Sequence, residues 1–168
     1  YTGGGTPISH SGNKSVVIYI AANADAAKYS SHANNLEHLQ GVAQRLSLDD
    51  SKKYKLQFFY YRPNLVWGTT DVAANINHAE KIVVGIVSST EANVNTDYTY
   101  EEVITLEKTE GWKEYNITFD LPDIIQKNPG KSFEKCAIFF NIVPEIDSAQ
   151  KTLKTLVNLD DISLTETK

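Results

Sequence analysis

The sequence predicts an all-β fold, a two-sheet antiparallel β-sandwich forming a single domain over residues 1–168. Three observations carry that expectation. About eight segments rich in β-branched and aromatic residues recur along the chain at the spacing of sandwich strands. Polar turns separate them. Several alternate apolar with polar residues, the period of a strand that buries one face.

The first segment, Ser15-Val16-Val17-Ile18-Tyr19-Ile20, is β-branched and lies between Ser-Gly-Asn and Ala-Asn-Ala-Asp. Val42 to Leu48 alternates, with Val42, Leu46 and Leu48 on one side and Ala43, Arg45 and Ser47 on the other. Asp49-Asp50-Ser51-Lys52 reads as a turn. Tyr54 to Arg62 is a long strand stopped by Pro63-Asn64. Lys81 to Val87 is a β-branched run followed by a polar stretch from Ser88 to Thr96. Tyr98 to Leu106 reads as another strand, and Glu107 to Gly111 as a turn. Tyr115, Ile117 and Phe119 alternate with Asn116 and Thr118, and Pro122 ends that segment. Asp123 to Gln126 is long enough for one helical turn. Lys127 to Lys131 is a loop before the strand Cys136 to Val143, and the last strand runs from Leu156 to Leu164. Ala24 to His38 holds a short helix or a long loop. The connections Ala21 to Gln40 and Pro63 to Glu80 are too long for hairpins, and loops of that length tend to be functional.

Composition excludes several functions. Hydrophobic residues make up 41% and charged residues 22%, ordinary for a globular domain. The net charge is -5 with no basic run, so there is no electrostatic footprint for nucleic acid or an anionic membrane. No apolar segment approaches the ~20 residues of a membrane-spanning helix, so membrane insertion is not expected. Tyr1 opens a Gly-rich stretch without the basic start of a signal peptide, the pattern of an excised module or mature fragment. Cys136 is alone, so no internal disulfide forms. No Cys/His cluster offers a zinc site. Its apolar surroundings, Ala137-Ile138-Phe139-Phe140, suit a buried structural thiol.

Tyrosine is frequent: nine Tyr accompany six Phe and two Trp. The segment Tyr54 to Tyr61 concentrates them. Tyr54, Leu56, Phe58 and Tyr60 point one way, and Gln57, Phe59 and Tyr61 the other. A sandwich sheet has one core face, so one set is left outside. With Phe59, Tyr61 and Gln57 outward, and Arg45 near them, that face suits a sugar. Pyranose C–H faces stack on aromatic rings, while amide and guanidinium groups bond the hydroxyls. A loop folded over this face would instead bury both sets, and the opposite parity would exchange Phe58 and Tyr60 with Phe59 and Tyr61. Trp67 follows in a polar loop as a ligand platform or a plug over the core edge. Tyr98 and Tyr100 share one strand face, flanked by Asp97 and Glu101, and read as further ligand candidates or as ordinary sheet residues. Tyr29, in the first long loop, is another ligand candidate. Trp112, after Gly111 at a strand start, reads as structural.

Catalytic motifs are missing. There is no Gly-x-Ser-x-Gly, no phosphate-binding glycine loop and no His-Glu-x-x-His. His10, His32, His38 and His78 all fall in expected loops. Two acids meeting in space could still serve glycoside hydrolysis, but most acids here sit in turns where hydration explains them. The adjacent Asp160 and Asp161 are different, because they interrupt an apolar, alternating strand. Burying an unpaired carboxylate costs several kcal/mol. A cation bound there, or plain hydration at a strand end, would each account for them; oxygen ligands of this kind suit calcium.

Several landmarks in order carry a resemblance. Ser11-Gly12-Asn13-Lys14-Ser15-Val16-Val17, Gly41-Val42-Ala43-Gln44, Tyr54-Lys55-Leu56-Gln57-Phe58-Phe59, Gly111-Trp112-Lys113-Glu114-Tyr115 with Phe119, and Leu159-Asp160-Asp161-Ile162-Ser163-Leu164 together resemble the carbohydrate-binding modules of families 4, 9, 16 and 22. The resemblance implies a jelly-roll sandwich similar to the galactose-binding-domain fold. It implies a module that binds β-linked glycans such as xylan, β-glucan or cellulose without catalysis, with xylan favoured. It further implies a covalently linked glycoside hydrolase such as a bacterial xylanase, and a secreted or cell-surface location. Phe139, Asn141 and Glu145 fall where such modules often place groove residues. A structural calcium is implied at Asp160 or Asp161 with carbonyls near Ser11 and Lys14. The family's usual opening Asn-Gly-x-Phe-Glu has no counterpart in Tyr1 to Pro7, nor has its groove Trp near Leu39. A protein-interaction or adhesion domain of the same fold is the competing expectation.

Overall fold

The computed structural model describes residues 9–12, 14–20, 40–61, 80–88, 99–106, 111–143 and 155–167. Eight strands are found among them: β1 (Val16–Ile20), β2 (Gln40–Leu46), β3 (Lys53–Tyr61), β4 (Glu80–Ser88), β5 (Tyr100–Leu106), β6 (Lys113–Asp120), β7 (Cys136–Val143) and β8 (Thr155–Thr167). One helix, α1 (Leu121–Lys127), joins β6 to β7. The strands form two four-stranded sheets, ordered β1-β8-β3-β6 and β2-β7-β4-β5, and every pairing is antiparallel. Among the described strands, only β4 and β5 are successive in the chain and paired in one sheet. Every other step from one described strand to the next crosses between sheets, which is the jelly-roll path. The expected two-sheet sandwich is therefore the observed fold.

The core follows from alternation. On β3, Tyr54, Leu56, Phe58 and Tyr60 are buried, while Lys55, Gln57, Phe59 and Tyr61 are half-buried on the outer face. Ile117, Phe119, Val157 and Leu159 complete the first sheet's inner surface. Ile82, Val84, Ile86, Phe140 and Ile142 face them from the second sheet. Phe58 meets Phe140 edge-on across the gap, with centroids 5.1 Å apart. Each such large apolar side chain contributes about 1.5–3 kcal/mol on burial. Tyr100 belongs to this interior too, its ring packed edge-on against Phe119 at 5.8 Å.

β4 is buried on both faces, from Ile82 through Ser88. That explains its unbroken apolar run, since alternation is lost when both sides of a strand are covered. Part of the outer cover is Phe139, whose ring lies over Gly85. Helix α1 is longer than the single turn expected. Pro122 sits in its first turn, where a missing N–H costs nothing. Asp120 caps it by accepting from Asp123 N at 3.3 Å. Lys127 Nζ bonds to Asp123 Oδ2 at 2.7 Å one turn away.

Candidate functional site

The site is built where β3, β6 and β8 meet on the outer face of the first sheet. Gln57 pairs with Ser163, but Phe59 pairs with Asp160. Two steps along β3 thus match three along β8, so β8 carries one extra residue, a β-bulge. Asp161 has φ 47, the only positive φ at a non-glycine among the described residues. Aspartate tolerates that left-handed conformation better than most residues. The bulge turns both carboxylates toward one segment, Ser9 to Gly12.

That segment binds them closely. Asp160 Oδ2 accepts from His10 N at 2.8 Å and from Ser11 N at 3.3 Å. Asp160 Oδ1 accepts from Asp161 N at 2.9 Å. Ser11 Oγ donates to Asp161 Oδ1 at 2.5 Å. His10 Nδ1 lies 2.7 Å from Asp161 Oδ2, a hydrogen bond when that nitrogen carries the proton. The Ser11 hydroxyl, and then His10, hold the Asp161 carboxyl below the usual carboxylate range. Both Asp160 oxygens and Asp161 Oδ1 accept a protein donor, and Asp161 Oδ2 does so when His10 Nδ1 carries the proton. Calcium takes six to eight oxygen ligands, and no group of three or more His, Cys, Asp or Glu suited to a metal exists among the described residues. In this arrangement the protein's own donors meet both carboxylates. Lys14 is exposed and bonds to neither carboxylate.

The same segment brings an imidazole into an aromatic cluster. His10 stacks on Phe59 with centroids 3.7 Å apart and planes 13° from parallel. It meets Trp112 edge-on at 5.9 Å. Trp112 in turn lies 5.7 Å from Tyr61, tilted by 43°. Phe59, Tyr61 and Trp112 are all half-buried, with apolar surface open to solvent. Polar rows continue down the sheet, with Gln57 between Asn116 and Ser163, and Lys55 between Thr118 and Thr165. Asn158, paired with Tyr61 and pointing outward between the inward Val157 and Leu159, is buried. Its Nδ2 is the one buried side-chain polar atom without a hydrogen-bond partner among the described residues.

The residues singled out from sequence divide between opposite sides of the sandwich. Phe59, Tyr61 and Gln57 share the outer face of the first sheet, as their alternation required. Arg45 does not join them. It lies exposed on β2 of the second sheet, opposite Ala137, because β2 pairs with β7 rather than β3. Phe139 and Asn141 share that second outer face, opposite Ala43 and Gly41, and both are buried. Tyr100 corrects a second expectation, since its ring turns inward to the core. Trp67, Tyr98, Tyr29 and Glu145 lie outside the described residues. Trp112, which reads as structural in the sequence, and His10, which falls in an expected loop, join the aromatic cluster instead. The first was within reach, because extending the Tyr60–Lys113 pairing by one residue sets Trp112 beside Tyr61. Nothing local marks His10, whose role depends on a bulge about 150 residues away.

No family model and no curated protein matches the chain. Solved structures do. A family 28 carbohydrate-binding module, specific for non-crystalline cellulose, is similar over 95% of this chain and 80% of its own, with 14% identity and a TM-score of 0.52. A family 4 module matches at 16% identity and TM-score 0.48; 76% of this chain is covered, and the chain spans 61% of that one. A family 61 module, solved with β-1,4-galactotriose, matches at 12% identity and TM-score 0.41 over 90% of this chain and 82% of its own. At such identities the likeness is one of fold: two antiparallel sheets packed as a β-sandwich.

Proposed function

We propose that this chain is a non-catalytic module that binds a β-linked polysaccharide on the outer face of the sheet β1-β8-β3-β6. The observation that carries the reading is the cluster of half-exposed rings, Tyr61 and Trp112 beside Phe59, ending a row of amides and hydroxyls on one face. Rings supply stacking surface for pyranose C–H faces, and Gln57, Asn116 and Ser163 supply partners for hydroxyls. The fold supports the reading, since it is shared with a module specific for non-crystalline cellulose. Xylan is the ligand the sequence favours within this class, and a secreted or cell-surface glycoside hydrolase is the parent it suits.

Calorimetry with xylo-, cello- and β-1,4-galacto-oligosaccharides tests this. Trp112→Ala and Tyr61→Ala each weaken the preferred ligand at least about tenfold, as anchoring aromatic residues do. Silence toward every β-glycan, or unchanged affinity in both variants, defeats the proposal. A second reading puts the glycan on the other outer face. It is favoured by Arg45, exposed on that face above the buried Phe139 and Asn141. Loss of binding in Arg45→Ala, with Trp112→Ala and Tyr61→Ala unaffected, selects it.

A further inference from the structure

We infer that the segment Ser9–Gly12 is a protein clamp that satisfies the Asp160 and Asp161 carboxylates with hydrogen-bond donors in place of a cation, and that His10 is the positioning residue that holds Trp112 in the ligand platform. The second half rests on the glycan-binding reading; the first half does not.

Start with charge. Two adjacent carboxylates at a bulge repel each other and need donors or a counter-ion. Here the donors are the backbone N–H groups of His10, Ser11 and Asp161, the Ser11 hydroxyl and the His10 ring. The two consecutive N–H groups converge on the single oxygen Asp160 Oδ2, at 2.8 and 3.3 Å. With two N–H groups on it, Asp160 Oδ2 has both lone pairs engaged and none left for a cation. Gly12 helps the segment turn back on itself. Its φ of +63 is left-handed, and its carbonyl accepts from Ser9 Oγ at 3.1 Å.

Then follow the ring. Anchored at Nδ1, the imidazole has one face on Phe59 at 3.7 Å and meets Trp112 edge-on at 5.9 Å. Phe59 therefore cannot offer that face to a sugar. The rings left to stack are Trp112 and Tyr61, and Trp112 touches both His10 and Tyr61. His10 acts through Trp112 rather than on the ligand. The bulge at Asp161 thus sets the geometry of a ring carried by a different strand.

Three measurements on the full chain test the clamp. The first is the melting temperature with added calcium and with chelator. The clamp expects no change; a calcium-dependent rise, accompanied by amide shifts at residues 10, 11, 160 and 161, overturns it. The second is the Trp112 indole N–H resonance, assigned with Trp112→Phe. His10→Ala and His10→Gln both move it, because each removes the ring, while His10→Phe restores it. Ser11→Ala, which loosens the anchor and keeps the ring, moves it less. An indole signal indifferent to all four variants overturns the positioning role. The third is affinity. His10→Ala weakens the preferred oligosaccharide by about two- to tenfold, the size of one edge-to-face ring contact. Unchanged or tighter binding in His10→Ala also overturns the role. If the wild type binds no β-glycan, the glycan reading fails, and the calcium and indole measurements still decide the clamp.

Discussion

Replacing Gly85 with alanine tests the packing of the second sheet most directly. Gly85 lies on β4 opposite Phe139 of β7. A Cβ there would stand 2.4 Å from Phe139 Cζ and 2.5 Å from the Tyr100 carbonyl oxygen. The ring can swing away. The carbonyl cannot, because it belongs to the backbone of β5 beside β4. Gly85 is not in the left-handed region, so the penalty is one of space rather than of backbone angle. Overpacking of this kind costs about 1–3 kcal/mol. The stiffer unfolded chain returns about 0.4–1 kcal/mol, which leaves a net loss of roughly 1–2 kcal/mol. For a domain of this length that lowers the melting temperature by about 2–8 °C. Urea unfolding followed by circular dichroism gives the midpoint, with an unchanged slope confirming that only stability moved. A stability within about 0.5 kcal/mol of wild type, or above it, refutes the argument. It would mean that the Tyr100 carbonyl does not close on Gly85.

Ser88→Ala removes a hydroxyl that is fully buried and donates to the Ser132 carbonyl at 2.7 Å, so urea unfolding should show a loss of about 1–3 kcal/mol; no loss means that the loop before β7 is not tied there. Burial pushes the Cys136 thiol up to about 11, so it stays protonated and unreactive at neutral pH. Ellman's reagent should label it slowly in the native protein and at once in guanidinium; fast native labelling contradicts the buried placement. Asp161 is depressed below 3.8, so its bonds to Ser11 and His10 add stability above the unfolded value, and that contribution fades as pH falls through the lower folded value. Asp161→Asn should therefore melt below wild type at neutral pH, with the gap closing in acid; a gap that widens in acid reverses the sign and sinks the assignment.

Much of the fold was legible along the chain, and the reason is local. Side chains alternate in any extended strand, so Tyr54 to Tyr61 declares two faces before any partner is known. The Tyr-Leu-Phe-Tyr set is the heavier apolar one, and it is the one in the core. Strand positions came within a few residues for the same reason. Pro122 reads as a stop along the chain, but in a first turn it is a start, so α1 runs past the single turn its sequence suggests.

The site was less legible. Arg45 and Gln57 look like neighbours because about a dozen residues separate them. In a jelly roll successive strands mostly change sheets, so that nearness puts them on opposite sides of the molecule. Tyr100 sits between charged residues and still turns inward, because register with its partners on β4, not its neighbours, sets its side.

Strand content, the apolar and aromatic faces of β3 and the strained acid pair on β8 belong to the sequence alone, for they follow from chemistry between near neighbours. The meeting of His10, Phe59, Trp112 and Tyr61 belongs to tertiary structure. Backbone pairing between distant strands, shifted by one residue at Asp161, decides which rings touch, and no local pattern encodes that register.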